Sequence, residues 1–247
     1  MNERDALFAN VLNDPTDDTA RLVLADWLDE HDENDLARFL RAGVTAARFR
    51  HEPLIDDPDY YRALADLAAV TTSGAPARWL AELGIGPVPL THGDWVWDND
   101  GDRVTVRIGG VSGVFARGLL SALVAPLADW YEFAPLAFAA WPLEGGTVTD
   151  VPGLRFYVEA PTSERPDWRL SAALTVRARR PGMLRRLTRL VAANPGPGRH
   201  GRAGRWEAER TFPDRATLAE RIAGASAVLV EEVRDAAGDL WPSPPNG

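Results

Sequence analysis

Three aspartates at alternate positions are the residues of this chain that most resemble a metal site. Asp98, Asp100 and Asp102 have the spacing of calcium loops. Such a loop also needs Gly at its sixth position and Glu at its twelfth, where this chain has Arg103 and Gly109. Asp-Gly turns between alternating apolar runs are common in hairpins. The segment therefore predicts a tight β-hairpin, and we expect neither a metal nor a cofactor.

The other polar residues do not indicate a nucleophile with its base. His92 stands close to Asp94, but a single pair of this kind in a turn is a weak catalytic signal. Ser112 lies in Gly-Gly-Val-Ser-Gly, which lacks the Gly-x-Ser-x-Gly elbow of serine hydrolases. The chain has no cysteine, which excludes disulfides and thiol chemistry. We therefore assign no catalytic residue.

An arginine-rich segment is the candidate for contact with nucleic acid. Residues 165–210 hold 12 Arg against 3 acidic residues, whereas the whole chain has a net charge of −9. The possible phosphate contacts are Arg177, Arg179, Arg185, Arg186, Arg189 and Arg202. A solvated or internally paired face is the favoured alternative, because charge runs are usually solvated. Any nucleic-acid affinity should be weak, independent of sequence and lost with salt.

Composition indicates a folded protein outside the membrane. With 45% hydrophobic residues and nine tryptophans, the 247-residue chain can bury a sizeable core. Its longest apolar run, residues 119–128, is far shorter than the ~20 residues of a membrane span. Residues 1–60 hold 15 acidic residues against 6 Arg, and this block could face the arginine-rich segment internally. No targeting signal is visible, so we expect a cytoplasmic location.

The first fifty residues predict three amphipathic helices. Apolar residues at helical spacing place the first from Glu3 to about Asn13, and Asp14-Pro15 ends it. The second follows a cap at Asp17 or Asp18, and the third begins near residue 34 or 35. Because no single helix can bury its apolar stripe alone, we expect an autonomously packed helical hairpin.

Asp26 and Trp27 are the structural motif of the second helix. Their positions place both residues in its apolar stripe. We expect Trp27 to lie in the core of the hairpin. Asp26 should cap a neighbouring helix or accept the Trp27 indole N–H, since buried polar groups need partners. The alternative role of Asp26 is to bind a partner protein.

The same segment resembles a known family module. Its elements are a helix, Asp14-Pro15 with acidic residues, Arg21-Leu-x-x-Ala-Asp-Trp-Leu-x-Glu30 and Ala37-Arg-Phe-Leu-Arg41. This order is similar to the repeat-companion domain of planctomycete proteins, although the family commonly has an aromatic where Leu24 stands. A weaker resemblance, over residues 113–150, extends to the region that follows this module. The resemblance implies a bacterial cytoplasmic protein and implies no activity.

The remaining patterns divide the chain into two domains. Helices are predicted at 58–70 and 76–83, and the Gly/Pro-rich segment 84–89 marks a boundary. Beyond it the sequence predicts strands at 95–97, 104–108, 154–159, 168–179 and 205–212. Further helices are predicted at 126–140, 182–193 and 214–237. The predicted fold class is α+β: an N-terminal helical hairpin or bundle in domain 1–86, a mostly antiparallel sheet with packed helices in domain 87–241, and a flexible tail at 242–247.

Three hypotheses about function follow. The first is a non-enzymatic interaction or scaffold protein of the bacterial cytoplasm, with an unknown protein partner. The second is a weak nucleic-acid-associated accessory protein that uses residues 165–210, and the third is an enzyme of unknown class. An exposed apolar or aromatic patch, a continuous positive surface, or a deep cleft with converging His and carboxylates would distinguish them. The sequence does not indicate an oligomeric state.

Overall fold

The computed structural model describes residues 3–52, 56–87, 89–91, 93–177 and 203–242. Its helices are α1 (Glu3–Asn13), α2 (Asp18–Glu30), α3 (Asn34–Ala47), α4 (Pro58–Thr72), α5 (Ala75–Glu82), α6 (Leu127–Ala140) and α7 (Arg215–Ala237). Its strands are β1 (Trp95–Asp100), β2 (Arg103–Ile108), β3 (Val111–Ala116), β4 (Leu119–Ala125), β5 (Gly145–Val148), β6 (Leu154–Glu159), β7 (Trp168–Arg177) and β8 (Ala203–Phe212). Within these ranges, no helix combines the length and the apolar character that a membrane span needs.

The eight strands form a single sheet in chain order. Neighbouring strands are antiparallel, except that β4 and β5 run parallel. Parallel neighbours need a crossover connection, and α6 supplies it. The fold is therefore α+β with a mostly antiparallel sheet, as predicted. The predicted hairpin is also confirmed, because β1 pairs with β2 from Asp100 and Arg103 outwards.

The sequence does not predict β3, β4 and β5. Strand β4 is apolar at nearly every position, and such a run cannot be told from a helix by its period. Strand β5 begins with Gly145 and Gly146, which are poor strand formers. Packing requires the second glycine, since a Cβ there would lie 2.7 Å from Cε3 of Trp130. The predicted helix 182–193, most of the predicted loop 194–204 and most of the tail 242–247 lie outside the described residues.

The helices contact one face of the sheet, termed here the packed face. Phe115 of β3 meets Phe39 of α3 edge to face, with ring centroids 5.8 Å apart. Trp130 of α6 stacks on Phe156 of β6 at 4.6 Å. Its indole N–H donates to Ser226 of α7 at 3.1 Å. Apolar residues of all seven helices and of the sheet form one continuous cluster.

The N-terminal helices dock on the sheet through two glycines. Gly118, at φ +76° in the β3–β4 turn, lies so close to α3 that a Cβ would be 2.6 Å from the Phe39 carbonyl oxygen. Gly43 of α3 faces it, and a Cβ there would be 2.9 Å from the Gly118 Cα. Beside them, Arg117 donates to the Thr16 carbonyl at 3.3 Å. The core of these helices is shared with the sheet, so the autonomous packing of the hairpin stays a prediction.

The prediction for Trp27 is wrong. Trp27 is half-buried, and its ring stacks on His31 with centroids 3.8 Å apart. The indole nitrogen has no hydrogen-bond partner among the described residues, so Asp26 does not accept from it. Helix α2 turns a different stripe to the core, at i, i+3, i+4 and i+7, and its members are Arg21, Leu24, Ala25 and Leu28. Because the first residue of this stripe is an arginine, the spacing of apolar residues alone does not predict it.

Asp26 lies on the solvent side of α2. Its side chain is 71% exposed, and its carboxylate accepts from Arg41 of α3 at 2.9 Å. The same guanidinium donates to Asp29 at 3.1 Å. The prediction that Asp26 is a buried helix cap is therefore wrong, because the core stripe of α2 lies on the opposite side of the helix. Asp26 instead joins α2 to α3 at the surface.

Candidate interaction surface

The sheet has a second face, termed here the open face, which is formed by the side chains that alternate with those of the packed face. In β6, Leu154, Phe156 and Val158 are buried, and the three residues between them and after them are exposed. The contacts of Phe39 and Trp130 given above all reach the packed face. The open face is therefore the side of the sheet that points away from these helices.

A strip of uncharged residues crosses the centre of the open face. The strand register aligns one row over six strands and a shorter row beside it. We term these nine residues the central strip: Thr105, Val114, Ala122, Gly145, Tyr157 and Ser171 in the first row, and Ser112, Val124 and Thr147 in the second. These nine residues are small with one large exception, and Ser112, Gly145 and Ser171 are buried. That exception is Tyr157, which is 36% exposed and lies between Gly145 and Ser171.

Charged residues border the central strip. The first row ends at Asp98 of β1 and Glu209 of β8, and the second row ends at Arg107 of β2 and Arg155 of β6. Glu209 accepts a hydrogen bond from Arg169, so that charge is already balanced within the border. The open face therefore combines an uncharged centre with a polar rim.

The described arginines of the segment 165–210 are largely paired. Arg169 contacts Glu159 at 3.3 Å, Arg205 contacts Glu207 at 3.1 Å, and Arg210 pairs with Glu232. Of the predicted phosphate contacts, Arg177 is the last residue of β7. The others, Arg179, Arg185, Arg186, Arg189 and Arg202, lie outside the described residues. The nucleic-acid hypothesis stays a prediction, and the structure brings none of these residues into a described site.

The acidic N-terminal block finds several partners within the helices. Glu33 binds Arg4 at 2.8 Å, and Asp35 binds Arg78 of α5 at 3.2 Å. Arg4 and Arg78 do not belong to the segment 165–210. The possible pairing of the two charge blocks therefore stays a prediction.

The aspartates of the β1–β2 hairpin separate into different environments. Asp102 is only 8% exposed and forms a two-point ion pair with Arg50, whose Nε donates at 3.2 Å. Hydrogen bonding to Asp102 raises the pKa of the Arg50 guanidinium. Asp98 instead accepts from the Asn99 backbone N–H at 2.9 Å. In the described part of the chain, no group of three or more His, Asp and Glu residues could hold a metal ion.

A cleft of about 320 Å³ adjoins this ion pair. Phe49 and Tyr60 form part of its wall, with ring centroids 5.5 Å apart, and Glu52 lies beside them. The cleft is polar, but two of its charged groups, Arg50 and Asp102, already neutralise each other. It therefore ranks below the open face as a candidate site.

The remaining residues with possible chemistry have local structural partners. Asp94 accepts hydrogen bonds from the backbone N–H and hydroxyl of Thr91 at 2.7 and 2.6 Å, and these bonds lower the pKa of its carboxyl. His92, with which it might have paired, lies outside the described residues. Ser112 belongs to the central strip, between Arg107 and Val124. The hypothesis of a catalytic pair of His92 and Asp94 therefore stays a prediction.

The open face could not be predicted from the sequence, because most of its central residues belong to strands that local patterns do not indicate. Of the nine residues of the central strip, six lie on β3, β4 and β5. A signal was present in β6, where Tyr157 interrupts an otherwise charged solvent side between Arg155 and Glu159. Only the register of eight strands shows that this tyrosine continues a row of small residues.

Comparison with known proteins adds no relative to these observations. No protein-family model, no curated protein and no solved structure matches the chain.

Proposed function

We propose that this protein is a non-enzymatic interaction protein and that its open face binds a protein partner. The central strip is the observation that carries this proposal, because it places nine uncharged residues side by side at the centre of an eight-stranded sheet, and six of them are at least partly exposed. An antiparallel sheet with one solvated face usually alternates apolar residues inside with polar residues outside. Uncharged side chains cost much less free energy to strip of water than charged ones. Another protein surface can therefore cover the strip cheaply.

The border of the strip supports the same proposal. Protein interfaces typically have a core depleted of charge and a polar rim. Asp98, Arg107, Arg155 and Glu209 supply such a rim with both signs of charge. Rim charges mainly orient a partner and speed its association. We therefore expect Tyr157 and its small neighbours to supply affinity, and the border to supply specificity.

The resemblance of residues 1–50 to the repeat-companion domain supports the same class of function, since that resemblance implies no activity. We propose that this segment is such a module, that its role is to hold the sheet, and that the protein works in the bacterial cytoplasm. The docking of Gly118 and Gly43 supports the second of these points, because it joins the two segments that carry the resemblance.

The proposal is tested by photocrosslinking in the cells that naturally produce the protein. A photoreactive phenylalanine derivative replaces Tyr157, which preserves an aromatic ring at the centre of the open face. The matched control carries the same group at Val228 of α7, a position that is 49% exposed and lies on the other side of the molecule's core. We expect a discrete adduct with a protein at position 157 and none at position 228.

Two results would contradict the proposal. One is the absence of any protein adduct at position 157 while the labelled protein remains folded. The other is the same adduct pattern at both positions, which would indicate random collision.

A further inference from the structure

We infer that the cleft beside the Arg50–Asp102 pair is a second binding site, which takes an organic cation: a guanidinium or ammonium group carried on an alkyl chain. The cleft lies where the end of α3, the start of α4 and the tip of the β1–β2 hairpin meet. Its volume of about 320 Å³ is at the lower end of the usual range for small-molecule sites. This site is separate from the proposed function of the open face and goes beyond it.

The cleft is accessible from solvent. Three of the charged residues that line it are exposed, namely Glu52, Asp100 and Arg103. Tyr60 is half-buried, and its hydroxyl reaches the hairpin, where it lies 3.5 Å from the position that a Cβ on Gly101 would occupy. An aromatic wall therefore extends from α4 to the tip of the hairpin, and the charged residues around it stay in contact with water.

The charges of the cleft select a cation. Arg50 and Asp102 neutralise each other, which leaves the carboxylates of Glu52 and Asp100 against the single guanidinium of Arg103. Among the described residues, none of these three side chains has an ion pair or a hydrogen bond. Two carboxylates are thus available to accept hydrogen bonds from a ligand, and an anion would be repelled by both of them.

The acidic surroundings of the cleft act in the same direction. Residues 1–60, which supply half of its wall, hold 15 acidic residues against 6 Arg. A cleft lined by one sign of charge raises the local concentration of ions of the opposite sign. Cations should therefore reach this site faster than neutral molecules of the same size.

The aromatic wall favours the same ligand. The rings of Phe49 and Tyr60 have centroids 5.5 Å apart. Aromatic faces attract guanidinium and ammonium groups electrostatically, and an alkyl chain packs well against such rings. Hydrogen bonds from a cation to a carboxylate are stronger than those between neutral groups. A free alkylguanidine or alkylamine and the arginine or lysine side chain of another protein carry this same chemistry.

Two small probes test whether the ligand must be charged. n-Butylguanidinium and n-butylurea have nearly the same shape, but only the first carries a positive charge. Titration of the full chain, followed by the NMR shifts of its backbone amides, measures both dissociation constants. We expect saturable shifts centred on residues 46–52 and 100–103 with n-butylguanidinium, and binding of n-butylurea that is weaker by about tenfold or more.

A capped tripeptide of glycine, arginine and glycine distinguishes the two sources of the cation. If it binds as tightly as n-butylguanidinium, the cleft takes the side chain of another protein. If only the small cation binds, the cleft takes a free alkyl cation.

Charge variants locate the site. Asp100→Asn and Glu52→Gln should each weaken the binding of n-butylguanidinium by about three- to tenfold, whereas Arg103→Gln should tighten it by a similar factor. The matched controls make the same changes at exposed positions of α7 and should leave the affinity unchanged: Asp235→Asn, Glu220→Gln and Arg221→Gln. Circular dichroism confirms that each variant is folded.

Three results would overturn the inference. The first is equal affinity for n-butylguanidinium and n-butylurea, which would mean that the cleft does not select charge. The second is a set of shifts that spreads over the acidic surface and does not saturate. The third is an equal loss of affinity in the cleft variants and in their α7 controls, because only the net charge of the chain would then matter.

Discussion

At the scale of single residues, Asp102 shows a carboxylate with metal-ligand spacing that serves the fold instead. Its side chain is nearly buried, and the Arg50 guanidinium at the end of α3 holds it in a two-point ion pair. The pair joins the N-terminal helices to the β1–β2 hairpin. A buried charge left without its partner is costly, because it keeps its desolvation penalty and loses its compensation.

We expect Asp102→Asn to lower the free energy of unfolding by about 1–3 kcal/mol, because Arg50 loses a charged partner and stays partly buried. Asp98→Asn is the matched control in the same hairpin, and it should change stability by less than about 0.5 kcal/mol. Urea denaturation followed by tryptophan fluorescence measures both. Equal losses in the two variants would mean that the ion pair contributes nothing specific.

Trp27→Ala tests the corrected position of the tryptophan. Trp27 is half-buried, so its removal should cost about 1–2 kcal/mol rather than the 3–5 kcal/mol of a fully buried ring. Leu28→Ala removes a fully buried neighbour from the core stripe and should cost about 2–5 kcal/mol. Urea denaturation should therefore rank the leucine variant as the less stable. If the tryptophan variant is the less stable of the two, Trp27 belongs to the core after all.

At the scale of elements, the contact between α3 and the β3–β4 turn depends on two glycines. In most helices Gly→Ala is stabilising, because glycine costs about 1 kcal/mol relative to alanine in helix interiors. At Gly43 the added Cβ would be 2.6 Å from the Arg117 carbonyl carbon and 2.9 Å from the Gly118 Cα. Both are backbone atoms, which cannot move aside as the end of a flexible side chain can.

We therefore expect Gly43→Ala to destabilise the protein by about 1–3 kcal/mol, the usual cost of overpacking. Gly224 of α7 provides the control, because a Cβ there meets nothing within 4 Å. Gly224→Ala should stabilise the protein by about 0.5–1 kcal/mol. The opposite signs of the two changes are the prediction, and thermal melts measure them. If Gly43→Ala stabilises the protein, α3 does not pack as closely against Gly118 as the structure shows.

The junction between α6 and α7 is held by two neighbouring residues. Asp214 caps α7, where its carboxylate accepts from the Thr217 backbone N–H at 2.7 Å. Arg215 donates to the Trp141 carbonyl just beyond α6 at 2.8 Å, and it lies 3.9 Å from the centre of the Phe138 ring. Burial lowers the pKa of this guanidinium to about 10. Arg215, the first residue of α7, thus supplies a hydrogen bond to the Trp141 carbonyl at the end of α6.

The Asp214 cap should give the protein a pH-dependent stability. Hydrogen bonds from Thr217 lower the carboxyl pKa below its ordinary value of 3.8. A lowered pKa means that the folded state favours the charged form, so this stabilisation is present above pH 3.8 and is lost as pH falls through the folded pKa. Asp214→Ala should lower the melting temperature at pH 7, and the gap to the unmutated protein should narrow below about pH 4. If the difference in melting temperature between the variant and the unmutated protein does not change with pH, the charge of the Asp214 carboxylate does not contribute to stability.

At the scale of the whole molecule, the helices and the sheet share one continuous core. The segment 84–89 connects the parts along the chain, but apolar contacts such as that of Phe39 with Phe115 cross between them. Elements that share a core lose their packing together, and small domains usually unfold as a single cooperative unit. The first sixty residues should therefore not be removable without unfolding the rest.

We expect urea to unfold the protein in a single transition, with coincident curves from tryptophan fluorescence and far-ultraviolet circular dichroism. The fragment 87–247 should not fold and should either stay unfolded or aggregate, because the deletion exposes the apolar side of β3. Two separated transitions, or a fragment with a cooperative melt of its own, would show that the domains at 1–86 and 87–241 fold independently.

Local patterns in the sequence were sufficient for the helices and for the edges of the sheet. The start and end of α1 and the starts of α2 and α3 follow from Asp14-Pro15, the Asp17 cap and apolar spacing, because these signals act within a few residues. Strand β6 and most of β7 follow from alternation, and the β1–β2 hairpin from Asp-Gly. The residues that indicate each of these elements lie next to one another in the sequence.

Only the tertiary structure decided which side of each element faces the core and which residues meet across the sheet. Arg21 takes a core position on α2, whereas Asp26 faces solvent and Trp27 is only half-buried, although all three lie in one helix. Gly146 and Gly118 are weak local signals, yet close packing against Trp130 and Phe39 requires them. The central strip exists only because the register aligns residues from six strands. Such pairings join positions distant along the chain, and no local preference encodes them.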